Sequence, residues 1–462
     1  KKGAVRIDTG SAPGFDIGTK TFINISDFDM AGSGLSTGIV AQGGTNLRLS
    51  RNEFRNYVSG IYLGGGINII LRDNLIEECS DFGLNIFGGS SVFPANNEFE
   101  NCNIGITVGS TASNIVVSGN VFLMNSNAAI DFVGGATGEI LDNTVMMNGT
   151  GIRIQSIGSS AQIRNNVLYG NSGDGISIIS AGAGSVIQQN TCVSNANGLL
   201  ISSTAGTDVR NNIFLGNTGS GFSADAPSTN SWINGYNCSF GNTFNWNNAA
   251  VPGTGSISAD PLLAGDAWPG AEFNLMSQGG RFTYNGWIID GVHSPCIDAG
   301  DPALPWSLEP MPNGGRANIG SNGNRKEASK SMPDSDGDGM PDAWEIQFLG
   351  STNAMPGADA DSDIMPNLEE YIAGTNPTNN FSLLAFSANG ITNGNPWVGW
   401  PSVLGRIYSI EYSVDGFAPW IPTGSNMPAT PTFNVFEDTA AIPGISRFYR
   451  VLAMFDSTNK AL

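Results

Sequence analysis

Lysine is missing from most of this chain. None occurs between Lys20 and Lys326, histidine occurs once, as His293, and 20 basic against 40 acidic side chains leave 462 residues with a net charge of −20. Nucleic acids and anionic membranes are bound through clustered Lys and Arg, so neither suits this surface as a partner. Cysteine is sparse too. Cys79, Cys102, Cys192, Cys238 and Cys296 are too few and too irregular for a disulfide scaffold, and no spacing among them suggests zinc. No apolar run reaches the roughly 18 residues of a membrane-spanning helix, so no membrane insertion is expected. The chain opens Lys1-Lys2-Gly3, without Met or a signal peptide, and reads as a mature or trimmed product.

What is abundant is turn chemistry. Gly accounts for 62 residues and charged side chains for only 13%, a balance that favours turn-rich β structure. At this length two or three domains are the default unless a repeat lets one core grow along an axis. Such a repeat is present. Asn52, Asn74, Asn97, Asn120, Asn143, Asn166, Asn190 and Asn212 are separated by 22, 23, 23, 23, 23, 24 and 22 residues. Two positions after each comes Phe54, Ile76, Phe99, Phe122, Val145, Leu168, Cys192 or Phe214. Five positions after comes Tyr57, Cys79, Cys102, Asn125, Asn148, Asn171, Asn195 or Asn217.

About 23 residues suffice for one coil of three short strands and three turns, stacked on the next at the spacing of paired strands. Stretches such as Gly151-Ile152-Arg153-Ile154 alternate at period two, one set inward and one outward. The predicted fold is all-β, a right-handed parallel β-helix. The recurring Asn is expected in the left-handed turn region, its amides stacked in a ladder along the axis. Residues 1–51 carry weaker copies, and after Asp225 the period fades into a segment, 226–331, expected to finish the last irregular coils and cover the open end. The stretch Ile163-Arg164-Asn165-Asn166-Val167-Leu168-Tyr169-Gly170-Asn171 resembles the repeats of the pectate-lyase-like superfamily. Ser294-Pro295-Cys296-Ile297-Asp298-Ala299-Gly300-Asp301-Pro302 resembles the closing segment of secreted bacterial β-helix proteins, as does Pro312-Asn313-Gly314-Gly315-Arg316-Ala317-Asn318-Ile319-Gly320. These resemblances imply fold and secretion, not a reaction.

Half the net charge sits in one stretch. Asp334, Asp336, Asp338, Asp342, Glu345, Asp359, Asp361, Asp363, Glu369 and Glu370 give ten carboxylates with no Lys or Arg among them. Asp334 to Glu345 follows the pattern DxDxDGxxxxxE. Positions 1, 3 and 5 converge in a tight loop, Gly339 permits the turn, the Met340 carbonyl supplies position 7, Asp342 position 9 and Glu345 position 12. A second copy places Asp359, Asp361, Asp363, Met365, Asn367 and Glu370 at the same positions, with Ile364 where Gly is usual, so a wider turn and weaker affinity are expected there. Hard oxygen ligands favour Ca²⁺, one or two ions. The pair resembles dockerin-like and thrombospondin type 3-like tandem loops. Extracellular calcium is millimolar, which points to a secreted or cell-surface location.

Residues 381–462 alternate apolar and polar positions, clearest in Tyr408-Ser409-Ile410-Glu411-Tyr412, and predict a small β-sandwich. The run from Trp397 to Ser402 and on through Gly405-Arg406-Ile407-Tyr408 resembles a small C-terminal domain of secreted bacterial proteins. Trp397, Trp400 and Trp420 are read first as core and second as a sugar-stacking platform. The expected domains are 1–331, 332–380 and 381–462.

Two functional readings stand. The first is an extracellular or cell-surface, calcium-stabilised structural or adhesive protein whose partner is polysaccharide or copies of itself. The alternative is a polysaccharide lyase or glycoside hydrolase acting on a glycan laid along the β-helix. A lyase needs a base and a cation for the substrate carboxylate, a hydrolase two facing carboxylates. On the second strand of each coil the outward row reads Tyr62, Asn85, Thr107, Asp131, Arg153, Ser177, Leu200. Tyr62, Asp131 and Arg153 are its catalytic candidates, with Asp131 and Arg153 read first as a cross-strand ion pair. Cys238 and Cys296 are candidates to pair within the closing segment.

Overall fold

The computed structural model describes residues 5–265, 273–403, 406–430, 432–442 and 445–455. Gly405 of the run noted above lies outside them. The chain forms two compact units: Lys1–Leu275 with Gly300–Glu309 and Arg316–Ala328, and Met276–Ala299 with Pro310–Gly315 and Ser329–Leu462.

The first unit is a parallel β-solenoid of about eleven coils. Its three sheets hold eleven, eleven and ten strands, each pairing with the strand one coil before and one coil after. One coil contributes Val121–Leu123, Ala128–Phe132 and Thr137–Leu141 to the three sheets in turn. The apolar slot that follows each repeating Asn stacks in register, Phe54 on Ile76, Phe99, Phe122, Val145, Leu168, Cys192 and Phe214. All are buried, and the Phe99 and Phe122 rings lie 5.1 Å apart and nearly parallel. A continuous apolar column therefore runs along the axis, formed by side chains from every coil.

The repeating Asn does not occupy the left-handed region. Its predecessor does: Arg51, Asp73, Asn96, Asp142, Asn165, Gln189 and Asn211 have φ between 53° and 60°, and Gly119 has 64°. That residue turns the chain at the corner with its side chain outward, which sends the next side chain inward beside backbone groups the turn has left unpaired. The inward amide pairs them. Asn143 is typical: its Nδ2 donates to the Val117 carbonyl (3.0 Å) and Asn166 Oδ1 (2.9 Å), and its Oδ1 accepts from the Asn120 backbone N–H (2.9 Å) and Nδ2 (3.0 Å). The expected ladder is thus present, from Asn52 to Asn237. A second ladder runs from Asn125 to Asn242 at the next corner.

The regular coils extend beyond the sequence limits at both ends. Val5–Gly10, Phe15–Gly18 and Asn24–Ser26 form a coil before the first ladder Asn, and the second sheet continues to Phe244–Asn248. Asn237 and Asn242 escaped the period because each lies 25 residues after its predecessor. Within the same unit, residues 300–309 and 316–328 run along the outside of the coils. Asp301 meets Arg210 at 2.7 Å, Asn165 Nδ2 donates to the Ser321 carbonyl, and Arg325 meets Asp142 at 2.6 Å.

The second unit contains a hairpin (Arg281–Thr283 with Gly286–Ile288), two short helices, α1 (Asp342–Leu349) and α2 (Asn367–Ala373), and two antiparallel three-stranded sheets. One sheet orders Ala388–Thr392, Asn395–Pro401 and Phe433–Glu437; the other orders Ile421–Pro428, Arg406–Ser413 and Phe448–Phe455. Val398, Trp400, Tyr408 and Ile410 form their shared core. All five cysteines are buried, and no disulfide joins them, Cys238 and Cys296 included.

Candidate metal centre

The two acidic loops fold alike in three backbone hydrogen bonds. In the first, Asp334 accepts from the backbone N–H of Gly337 (2.8 Å) and Gly339 (3.1 Å), and Asp338 Oδ1 accepts from Met340 N–H (2.8 Å). In the second, Asp359 accepts from Ser362 (2.7 Å) and Ile364 (2.8 Å), and Asp363 Oδ1 from Met365 N–H (2.8 Å). In each loop a proline, Pro341 or Pro366, precedes the helix that carries positions 9 and 12. Its fixed φ suits the entry to a first turn.

The second turn is not wider. Ile364 takes φ 84° against 94° for Gly339, and Ser362 takes 65° against 71° for Gly337. A β-branched residue is therefore held in a region that glycine occupies without strain. The Ile364 side chain is 93% exposed, so packing gives nothing back.

One carboxylate oxygen from each of Asp334, Asp336 and Asp338 lies within 4.8 Å of the other two, and so do those of Asp359, Asp361 and Asp363. Glu345 and Glu370, at position 12, have no solvent-accessible surface. Seven buried oxygens here have no hydrogen-bond partner: Asp338 Oδ2 and Glu345 Oε2 in the first loop; Asp361 Oδ1 and Oδ2, Asp363 Oδ2, Asn367 Oδ1 and Glu370 Oε2 in the second. Buried acceptors left unpaired cost about 1–3 kcal/mol each, more when charged, so native proteins keep only a few, and seven within two short acidic loops is a concentration that calls for a partner. The donor set is all oxygen, with no nitrogen or sulfur, and fits a hard cation of Ca²⁺ size.

The loops also differ. Asp342 is engaged by Ser335, whose N–H and Oγ reach its two oxygens at 2.7 and 2.6 Å, whereas Asn367 Oδ1 in the same position is open. The second loop thus offers five unpaired oxygens and the first two. Burial, then the charges of Asp361 and Asp363, pushes the Glu370 carboxyl up to about 7, and burial raises that of Glu345. The loops support one another: Trp344 of α1 packs edge-on against Tyr371 of α2 with ring centres 5.3 Å apart. Arg406, on the central strand of its sheet, donates through Nη2 to the Tyr371 carbonyl (3.0 Å) and through Nε to that of Ile372, capping α2 with a cation where the helix dipole is negative.

The solenoid's catalytic candidates are not assembled. Arg153 pairs with Asp131 in a fork (Nε to Oδ1 3.1 Å, Nη2 to Oδ2 2.6 Å), and Gln155 Nε2 adds bonds of 3.1 and 3.2 Å to the same carboxylate. Tyr62 reaches Asp131 only through Asn85 and Thr107, three coils away or about 14 Å at the spacing of paired strands. His293 lies in the second unit, where burial lowers its pKa to about 4 and Nδ1 accepts from Gln278 N–H.

Sequence reading missed one outward cluster on the first sheet. Glu98 and Glu100 share a strand, and Glu77 lies opposite Glu100 on the preceding coil, beside Arg55. Burial, then a hydrogen bond with Glu98 and the charges of Glu98 and Glu77, pushes the Glu100 carboxyl up to about 7. The signal was available, since 77 and 100 differ by one period.

The fold is that of right-handed parallel β-solenoids. Comparison with known proteins adds two family models: "Right handed beta helix region" matches residues 14–166 and "Disaggregatase related" matches residues 149–300. A solved structure, that of pectate lyase Pel9A, is similar at 14% identity and TM-score 0.42, over 65% of this chain and 82% of that one. No curated protein matches. Among the described residues no helix is long and apolar enough to cross a membrane.

Proposed function

We propose that this chain is a secreted or cell-surface scaffold in which a β-solenoid is joined to a calcium-stabilised C-terminal region, and that it holds polysaccharide rather than cleaving it. The observation that carries the calcium reading is the set of seven buried, unpaired oxygens in the two loops. Bound Ca²⁺ would supply the positive charge those oxygens lack. Asp334, Asp336, Asp338, Asp342, Glu345 and the Met340 carbonyl would hold one ion; Asp359, Asp361, Asp363, Asn367, Glu370 and the Met365 carbonyl the other. With its carboxylates neutralised, α2 is fixed in place, and Arg406 on its C-terminal carbonyls ties it to the neighbouring sheet. Loops of this kind fill at extracellular calcium levels, which favours work outside the cell. The segment 332–380 then acts as a clamp rather than a sensor.

The noncatalytic part rests on Asp131 and Arg153, each of which satisfies the other, and on the scarcity of lysine and histidine for binding and deprotonating a uronic acid. A second reading, a polysaccharide lyase or glycoside hydrolase, is favoured by one feature. The Glu100 carboxyl is pushed up to about 7 by burial and by its neighbour Glu98, so it can hold a proton near neutral pH as a general acid on glycans does. Both readings meet in one assay: neutral and acidic polysaccharides are incubated with the chain in calcium and in EDTA, and unsaturated ends, reducing ends and binding are followed together. Binding without new ends supports the scaffold. Turnover lost in Glu100→Gln, or in Asp131→Asn, overturns it. Calcium titration that leaves the melting of the chain unchanged removes the clamp.

A further inference from the structure

The sheet formed by Ala388–Thr392, Asn395–Pro401 and Phe433–Glu437 has two unlike faces. Val398, Trp400 and Phe436 point into the shared core, and Trp400 is wholly buried, so the three tryptophans do not form one platform. Trp420 is removed from it too, its ring lying under the Arg450 guanidinium at 4.6 Å. Trp397 belongs to the opposite, outward face.

There the chain places glycine beneath aromatic rings. Gly390 pairs with Trp397 across the strands, and a Cβ on Gly390 would stand 2.7–2.9 Å from the indole. A Cβ on Gly399 would stand 2.6–2.7 Å from the Phe433 ring. Both rings therefore lie down along the sheet instead of standing off it. Phe433 is 39% exposed and its neighbour Val435 57%. Aromatic rings laid over strand glycines also help to pin the register of a sheet. Here the covering groups are flat, Phe433 exposed and Trp397 half-buried, and polar groups lie beside them. Glu437 is directly opposite Trp397, and Asn395 Nδ2 donates to Glu437 Oε1 at 2.8 Å.

We infer that this outward face is a binding site for a neutral glycan: Trp397 stacks on the apolar face of a pyranose ring, Phe433 extends the platform, and the Asn395–Glu437 pair hydrogen-bonds the ring's hydroxyls. The charge fits that occupant. Glu437 is the one acidic or basic residue at the outward positions of these three strands, and an acidic chain of net charge −20 repels a uronic-acid polymer while hydroxyls accept and donate freely. A sugar offers an apolar face with a polar edge, and a rigid ring with a bidentate polar neighbour matches both at little cost in side-chain entropy. The inference deepens the glycan-holding reading above and rests on it for the class of partner.

The test uses the full chain in calcium. Binding to xyloglucan, mannan, galactan and β-1,3-glucan is measured by affinity electrophoresis and calorimetry, with polygalacturonate as the anionic comparison. Trp397→Leu keeps an apolar cover over Gly390 but removes the flat ring, and Glu437→Gln keeps shape but changes the polar pair. At least one neutral glycan should bind, about fivefold or more weakly in Trp397→Leu, with the melting temperature unchanged. Binding equal in both variants and wild type overturns the site but leaves glycan binding elsewhere intact. No binding by the wild type to any neutral glycan overturns both the site and the glycan reading. A dimer in light scattering that dissociates on Trp397→Leu makes the face a contact between copies and likewise overturns the site.

Discussion

Asn143 in the solenoid and Glu370 in the acidic segment are both buried polar side chains, and they stand in opposite states. Every hydrogen-bonding atom of the Asn143 amide is met by the coils before and after it, while Glu370 keeps one oxygen with no partner and a carboxyl pushed up to about 7. An amide carries both donors and acceptors, so a stack of identical amides satisfies itself. Carboxylates are acceptors only, and a cluster of them needs something from outside the chain. The amide ladder therefore satisfies itself, whereas the acidic loops keep seven buried oxygens without a partner, the feature that motivates the calcium proposal.

Removing calcium should separate the two regions most clearly. With free Ca²⁺ a hundredfold above Kd, each site adds about 2.7 kcal/mol. In EDTA the segment 334–370 should become open to a glutamate-specific protease at Glu345, Glu369 and Glu370, while the β signal of the solenoid persists. Trypsin is blind to this change because the segment holds no Lys or Arg. Equal protease resistance with and without EDTA would break the comparison.

The converse experiment strikes the ladder. Asn143→Leu takes away the acceptor of the Asn120 backbone N–H and the side-chain donor to the Val117 carbonyl, while Asn166 Oδ1 keeps the Asn143 backbone N–H and Asn120 Nδ2 keeps the Pro94 and Ser118 carbonyls, at a cost of about 2–4 kcal/mol. Denaturant melts should show the loss whether calcium is present or not. A loss of less than about 1 kcal/mol would mean that water replaces the amide, and that the ladder is not what holds the corner.

Smaller effects sharpen the picture. Ile364→Gly relieves a left-handed β-branched residue and should strengthen calcium binding at the second loop by about 1 kcal/mol, close to fivefold, as read by calorimetry. The matching change Gly339→Ile should weaken the first loop by a similar factor. On the solenoid, the carboxyl of Glu100 is raised from its ordinary value to about 7. The folded state then holds a proton that the unfolded chain has released, so stability is greatest at low pH and falls as pH rises through the window from 4.5 to 7. Glu100→Gln should leave the melting temperature unchanged at pH 4 and raise it at pH 8, by about 1 °C given partial exposure.

Much of this was legible in the residues. The Asn period, the inward apolar slots and the stacking between coils follow from a spacing that recurs seven times across eight Asn residues, and the loops follow from carboxylates at positions 1, 3, 5 and 12. The conformation at the corner was assigned one residue too late, because Asn is so favourable in left-handed turns that its inward role as an amide ladder was hidden. The last coil was lost because two ladder spacings stretch to 25 residues, and the segment 226–331 was expected to cover the end, whereas its parts 300–309 and 316–328 lie along the coils, because composition does not say where a segment lies. The acidic cluster of Glu77, Glu98 and Glu100 escaped because its members form no motif along the chain and meet only where adjacent coils pair.

Sequence alone determined the repeat, and with it the solenoid, because stacking identical coils makes each contact local in pattern although it is 23 residues away in the chain. It also determined which oxygens could meet a cation. Tertiary structure alone decided which of those oxygens are buried and unpaired, that Asp131 and Arg153 satisfy each other, and that Trp397 faces outward while Trp400 fills a core. The reason is physical. Periodicity specifies which neighbour a residue repeats against, but desolvation and partnering depend on every element that packs around it.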